Sequence, residues 1–129
     1  GLVQALAIDV KGPWHRYPSI AGHGRIRAER VLEISRWVRR LIDERDLDCE
    51  FRTTVHPEIL SVEEIRETAR QVAGADVYVL QNYKPVRGFQ PSLQTRSSYP
   101  DDLLRELAAE FRCEGIVRQC FVRGYEQDT

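Results

Sequence analysis

Six residues with polar or charged side chains stand at or near the ends of three short apolar runs of the sequence. They are Asp9, Lys11, Arg52, Gln81, Asn82 and Lys84. A guanidinium such as that of Arg52 can hold a carboxylate through two parallel hydrogen bonds. The carboxylate of Asp9 can accept hydrogen bonds from an ammonium or a sugar hydroxyl. Together these side chains predict a pocket for a small ligand that carries its own carboxylate and hydroxyl groups.

Arg52 is the least expected member of this set, because it interrupts a segment that otherwise reads as a buried strand. In the sequence DCEFRTTVHP at 48–57, alternation sends Phe51 and Val55 to one face, and Arg52 and His56 to the other. A charge inside a core is costly unless something pairs with it. Either this face is exposed to solvent, or Arg52 has a partner in the protein, or its partner is a ligand.

The same charges also permit a purely structural interpretation. Asp9, Lys11 and Arg52 can neutralise one another in an ion network, because clustered charges with perturbed pKa values are often structural. Their coincidence at the ends of successive strands favours the ligand site over the network.

Strands and helices alternate along the chain, and this order decides where the six residues meet. Apolar periodicity predicts strands over 3–10, 49–55, 76–83 and 115–124, and helices over 25–46, 61–74 and 100–111. Ser61 and Glu64 have the spacing of a capping box, Gly74 suits a helix end, and Trp37 falls on the apolar stripe of the first helix. The pattern β-α-β-α-β-α-β without a tight hairpin predicts an α/β fold with parallel strands and right-handed crossovers.

The carboxyl ends of the predicted strands are where a parallel α/β fold gathers its functional groups, and the six residues lie there. A long segment at 84–99, rich in proline, glycine and serine, follows the third strand, and loops of this length are typically functional. Four parallel strands do not close a barrel, so we expect an open sheet or part of a barrel, with edges that need cover.

The composition is that of an ordinary globular domain. The 129 residues suffice for a single domain over 1–129, and the formal net charge of −1 gives no reason to expect nucleic-acid or membrane binding. The three cysteines form no CxxC or CxxxC pair, and the three histidines lack the spacing of metal ligands. We therefore expect reduced thiols, a cytoplasmic location and no metal site within the chain. The absence of methionine and the opening on an apolar strand suggest a piece of a longer protein.

Four segments resemble the second half of the radical S-adenosylmethionine (SAM) activases. They read DVKGP at 9–13, RYPSIAGHG at 16–24, EFRTTVHP at 50–57 and YVLQNYKP at 78–85. The likeness is greatest to the activases of anaerobic ribonucleoside-triphosphate reductase, and activases of pyruvate formate-lyase share a looser pattern. It extends from about residue 5 to residue 124 and so covers nearly the whole chain.

The resemblance implies a partial (β/α) barrel in which a CxxxCxxC motif holds a 4Fe–4S cluster that binds SAM. Reductive cleavage of SAM gives a 5′-deoxyadenosyl radical, which removes hydrogen from a glycine of a partner, here a glycyl-radical enzyme similar to anaerobic ribonucleotide reductase. By match to the family motifs, Asp9 and Lys11 lie near the methionine part of the cofactor, and Arg52 also binds it. Lys84 stands where pyruvate formate-lyase activases carry a histidine, which leaves Gln81 or Asn82 for the adenosine side.

The CxxxCxxC motif is absent from these 129 residues. The resemblance therefore implies the C-terminal half of such an enzyme, inactive alone, which supplies part of the cofactor-binding wall and needs the N-terminal half of its barrel. Three alternatives remain open. One is a degenerate relative that keeps part of the ligand site, another is a non-catalytic α/β domain that binds a small ligand or a protein, and the third is a lyase that uses Lys11 as a Schiff-base amine.

Overall fold

The computed structural model describes residues 5–20, 28–44, 48–85 and 97–127. Within these ranges four parallel strands form one sheet, in the order in which they occur along the chain. The strands are β1 (Ala5–Asp9), β2 (Asp48–Val55), β3 (Val77–Pro85) and β4 (Gln119–Gln127). The predicted α/β class and the parallel sheet are therefore confirmed.

Helices connect the successive strands. They are α1 (Tyr17–Ile20), α2 (Ala28–Glu44), α3 (Val62–Gln71) and α4 (Asp101–Cys113), and a short 3-10 turn (Trp14–Arg16) leads into α1. The three longer helices confirm the predicted ones, whereas the turn and α1 are not predicted because segments this short show no periodicity. Within the described ranges, no helix is both long enough and apolar enough to cross a membrane.

The ends of α3 and α4 follow from local hydrogen bonds. The Ser61 hydroxyl accepts from the N–H of Glu64 (3.1 Å), and the Glu64 carboxylate accepts from the N–H of Ser61 (2.9 Å), so the predicted capping box is confirmed. At the end of α4, Gly115 adopts a φ of 72°, and the N–H of Ile116 donates to the carbonyl of Phe111 (3.0 Å). This turn occupies the residues after 114, so β4 begins at Gln119 and not at 115 as predicted.

The core lies between the sheet and the three longer helices, which all pack on one face of it. Phe51 of β2 and Tyr78 of β3 are register partners, and both are almost completely buried beneath the helices. Alternation predicts this burial for Phe51. Trp37 does not join the core and is 46% exposed. Val38 and Ile42 hold the core-facing stripe of α2, and Trp37 lies one residue, about 100°, away from Val38 around the helix.

A chain of buried hydroxyls ties the end of β1 to the two strands beside it. The Tyr78 hydroxyl donates to the Thr53 hydroxyl (2.6 Å), which donates to the carbonyl of Val10 (2.8 Å). The N–H of Val10 donates in turn to the carbonyl of Arg52 (2.8 Å). Burial raises the pKa of Tyr78, so its hydroxyl stays protonated and able to donate. These bonds fix the position of the residues on either side of Val10.

Candidate functional site

The face of the sheet opposite the three longer helices, called here the open face, carries polar residues from every strand. Asp9 of β1 lies beside Arg52 of β2 in register, and Gln81 of β3 lies beside Arg123 of β4. Parallel sheets are usually covered on both faces by apolar layers. A parallel sheet with charges on one face therefore indicates a surface made for polar groups.

Glu50 is the centre of this face, because two arginines converge on its carboxylate. Arg52 donates from Nε to Glu50 Oε2. Arg123 donates from Nη1 to Oε2 (3.0 Å) and from Nη2 to Oε1 (3.1 Å), which is the bidentate geometry of a strong guanidinium–carboxylate pair. We call Glu50, Arg52 and Arg123 the arginine–glutamate cluster. The partner of Arg52 in the protein is therefore Glu50, two residues earlier on the same strand.

The environment keeps Glu50 ionised. Partial burial tends to raise the pKa of this carboxyl group, but the hydrogen bonds and charges of Arg52 and Arg123 outweigh that effect and hold the pKa below its usual value. Val79 lies on β3, between the strands that carry the two arginines, and it is completely buried although its position faces away from the helices. The cluster thus lies over an apolar floor.

Asp9 and Lys11 form a separate ion pair at the end of β1. The Lys11 ammonium donates to Asp9 Oδ2, and the two side chains remain 47% and 44% exposed. The N–H of Lys11 donates to the hydroxyl of Tyr17 (2.9 Å), which anchors the backbone just beyond the strand. The structure thus places Asp9 next to Arg52 in the sheet but pairs it with Lys11, so the ion network considered as the alternative divides into two separate groups.

Gln81 is the residue of β3 that joins this face. Its side-chain oxygen accepts from the Thr54 hydroxyl (3.2 Å), and both side chains are partly exposed. Of the predicted site residues, the open face therefore brings together Asp9, Arg52 and Gln81, with Lys11 at its border.

Asn82 and Lys84 lie on the other face, because they alternate with Gln81 along β3. Asn82 Nδ2 donates to Asp101 Oδ1 (2.7 Å) and to the carbonyl of Tyr99 (2.9 Å), and the Lys84 ammonium lies 3.2 Å from Asp101 Oδ2. The hydrogen bonds from Asn82 and Lys84 hold the pKa of Asp101 below its usual value. These contacts position the first turn of α4. Most of the predicted loop, residues 86–96, lies outside the described residues.

His56 follows β2 directly and is completely buried. Its Nδ1 accepts from the N–H of Glu58 (3.0 Å), and its ring meets the ring of Tyr83 edge-on at 6.0 Å between centroids. Its carbonyl accepts from the N–H groups of Ile59 and Leu60. His56 thus organises the turn between β2 and α3.

Sequence reasoning singled out Arg52 but missed both of its cluster neighbours. Alternation in DCEFRTTVHP puts Glu50 on the face of Arg52, but it does not identify Glu50 as a partner, and Arg123 was not considered. Alternation in QCFVRG was the available signal, because Phe121 and Arg123 share the face of Arg52 through the register of β3 and β4. Alternation could not predict that the side chain of Arg123 on β4 extends across β3 to bind Glu50 on β2.

The donor and acceptor types on the open face fit the amino-acid end of SAM, because Arg52 and Lys11 can bind a carboxylate and Asp9 can accept from an ammonium. They do not fit an iron–sulfur cluster. In the part of the chain that the structure describes, no group of three or more His, Cys, Asp or Glu side chains could hold a metal ion. We therefore derive no step through a cluster on this chain.

Comparison with known proteins adds no family to this description. No family model matches the chain, and neither a curated protein nor a solved structure matches it.

Proposed function

We propose that this chain forms the second half of the barrel of a radical SAM activase, where it supplies part of the wall that binds the cofactor. The sheet order supports this proposal. The strands follow one another without a reversal, and the three longer helices lie on a single face. Consecutive units of a (β/α) barrel have this arrangement, whereas a doubly wound sheet reverses its strand order and carries helices on both faces.

The observation that carries the proposal is the position of Asp9, Lys11 and Arg52. Asp9 is the last residue of β1, and Lys11 lies two residues beyond it. Arg52 is the register partner of Asp9 on the adjacent strand β2. In a barrel the open face is the interior, and ligands bind at the carboxyl ends of the strands. Three groups that suit an ammonium and a carboxylate at this edge of the sheet support a site for the methionine end of SAM.

In this role the residues bind and orient the cofactor. Arg52 and Lys11 bind the carboxylate of the methionine part, and Asp9 accepts from its ammonium. Gln81 takes the contact on the adenosine side, since it shares the open face with Arg52 whereas Asn82 and Lys84 hold Asp101 on the other. When bound in the parent enzyme, the 4Fe–4S cluster supplies the electron for cleavage of SAM.

The proposed partner is a glycyl-radical enzyme similar to anaerobic ribonucleotide reductase. Formation of a glycyl radical on it would follow from cleavage of SAM in the parent enzyme. The thiols of Cys113 and Cys120 form no disulfide, and reduced thiols are typical of cytoplasmic proteins, which supports a cytoplasmic location.

The test compares the Kd for SAM of the parent protein, its Arg52→Ala variant and an Arg40→Ala control. Arg40 is exposed on α2, on the far side of the sheet from Arg52. Loss of a hydrogen bond between charged groups, about 1.5–3 kcal/mol, should raise the Kd about 10- to 100-fold for Arg52→Ala and leave the control unchanged. Equal Kd values refute the role of Arg52. Absence of CxxxCxxC from the roughly one hundred codons upstream, about the length of half of such a barrel, refutes the enzyme assignment.

A second candidate is a non-catalytic binding domain, and the charge pairing favours it. Arg52 and Lys11 each have a carboxylate partner within the chain, so neither of them depends on SAM for an opposite charge. Calorimetry with SAM and the isolated chain, in the absence of iron, separates the two functions. Micromolar binding favours the binding domain, and absence of binding favours the fragment of an activase.

A further inference from the structure

We infer that Arg52 and Arg123 form a binding site for a small oxyanion, a carboxylate or a phosphate group, and that Glu50 occupies this site when the oxyanion is absent. The site requires neither SAM nor a complete barrel, and it includes two residues that the proposed function does not use. It shares Arg52 with that function, but its test uses Glu50 and Arg123 and so is decided separately.

The two guanidiniums converge although their strands are not neighbours. Arg52 is on β2 and Arg123 is on β4, and β3 runs between them. Both donate to the same oxygen, Oε2 of Glu50. A pair of guanidiniums held on one carboxylate is already arranged for another planar or tetrahedral oxyanion, because the same fork geometry suits carboxylates and phosphates.

Glu50 leaves most of the donors of this pair unused. Each guanidinium has five N–H groups, and together the two direct three of them to described acceptors, all on Glu50. One carboxylate also cannot neutralise two guanidiniums, so the cluster keeps one net positive charge. The nearest carboxylate in register, that of Asp9, is paired with Lys11. The cluster therefore lacks one negative charge.

The position of the cluster allows an oxyanion to reach it and be held there. Arg52 and Arg123 are 36% and 49% exposed at their side chains, whereas Glu50 is 23% exposed and Val79 beneath is completely buried. The cluster is therefore shielded from water on the side of Val79 and open to solvent on the side of the two guanidiniums. Charges at such a boundary interact more strongly than in bulk water, because the effective dielectric is lower.

Replacement of Glu50 by glutamine provides the decisive experiment. Glu50→Gln removes the internal occupant and leaves two positive charges, so we expect phosphate and succinate to bind this variant about tenfold more tightly than the wild type. Arg123→Gln should weaken binding about tenfold, and Arg40→Gln, on the far side of the sheet, should leave it unchanged. Calorimetry measures the Kd, and the rise of Tm with anion concentration checks it. Preference for one anion identifies the source of the oxyanion.

Three results would overturn the inference. The first is equal affinity of the Glu50→Gln variant and the wild type, which would make Glu50 a structural partner of the arginines only. The second is equal affinity of Arg123→Gln and the control, and this comparison still decides if Glu50→Gln does not fold. The third is absence of binding of either anion at millimolar concentration to both the wild type and Glu50→Gln. Phosphate binding to the chain keeps this inference even if Arg52→Ala leaves the Kd of the parent protein for SAM unchanged, which is the result that refutes the proposed role of Arg52.

Discussion

Removal of the Thr53 hydroxyl should destabilise the protein more than loss of a partly exposed hydrogen bond on the open face, and the cost can be worked from two hydrogen bonds. In Thr53→Val, the Val10 carbonyl loses its bond from Thr53 and the completely buried Tyr78 hydroxyl loses its acceptor. The bond lost at the Val10 carbonyl costs about 1 kcal/mol, and the Tyr78 hydroxyl left buried and unsatisfied costs about 1–3 kcal/mol. We therefore expect the free energy of unfolding to fall by about 2–4 kcal/mol.

Tyr78→Phe tests whether the two hydroxyls depend on one another. In the wild-type background it removes one bond and leaves the Thr53 bond to Val10 in place, so it should cost about 1 kcal/mol. In the T53V background the same change removes an unsatisfied hydroxyl and should be neutral or stabilising. The double variant should therefore cost about 1–3 kcal/mol less than the sum of the single ones.

Urea unfolding, followed by far-ultraviolet circular dichroism, measures these four free energies. Thr54→Val is the matched control. Thr54 is the next residue of β2 but faces the open side, where its bond to Gln81 is partly exposed to water, so its loss should cost under about 1 kcal/mol. Additive costs for Thr53→Val and Tyr78→Phe would refute the reasoning, because they would mean that the two hydroxyls do not interact.

Two further predictions concern charge and backbone. The pKa of Glu50 lies below its ordinary value of 4.5, so its pairing stabilises the fold above pH 4.5 and loses that effect as the pH falls through the folded pKa. The difference in unfolding free energy between wild type and Glu50→Gln should shrink on acidification, and a constant difference from pH 7 to about 3 would contradict this. Gly74→Ala should cost about 1–2 kcal/mol for a φ of 94°, and more than Gly115→Ala, because a Cβ on Gly74 would lie 3.2 Å from Ile42 whereas Gly115 has open space. Gly124→Ala, also in open space, is the near-neutral control in thermal unfolding.

Local spacing in the sequence was enough for the four strands, the three longer helices and the two faces of β2. The period of two in DCEFRTTV correctly separated Phe51 from Arg52, and the spacing of Ser61 and Glu64 correctly located the start of α3. Both depend on residues at most a few positions apart. The end of α4 was harder, because a glycine turn after Cys113 and an early strand look alike in an apolar run.

The assignment of site residues was less complete, because it requires knowing which side chains meet. The sequence grouped Gln81, Asn82 and Lys84 as one strand end. Only the contacts with Asp101, at the start of α4, show that Asn82 and Lys84 bind the helix on the other face of the sheet. Alternation alone would have divided them, but nothing in the sequence indicated the partner seventeen to nineteen positions away.

The sequence by itself determined that this chain alternates strands and helices, that its sheet is parallel, and that Arg52 faces away from the core. These properties follow from the periodicity of apolar residues, which neighbouring positions set. The tertiary structure decided that the partner of Arg52 is Glu50 and that Arg123, 73 positions from Glu50, reaches the same carboxylate. That contact exists because β3 holds β2 and β4 at a fixed distance in register, and no local pattern records the distance between two strands.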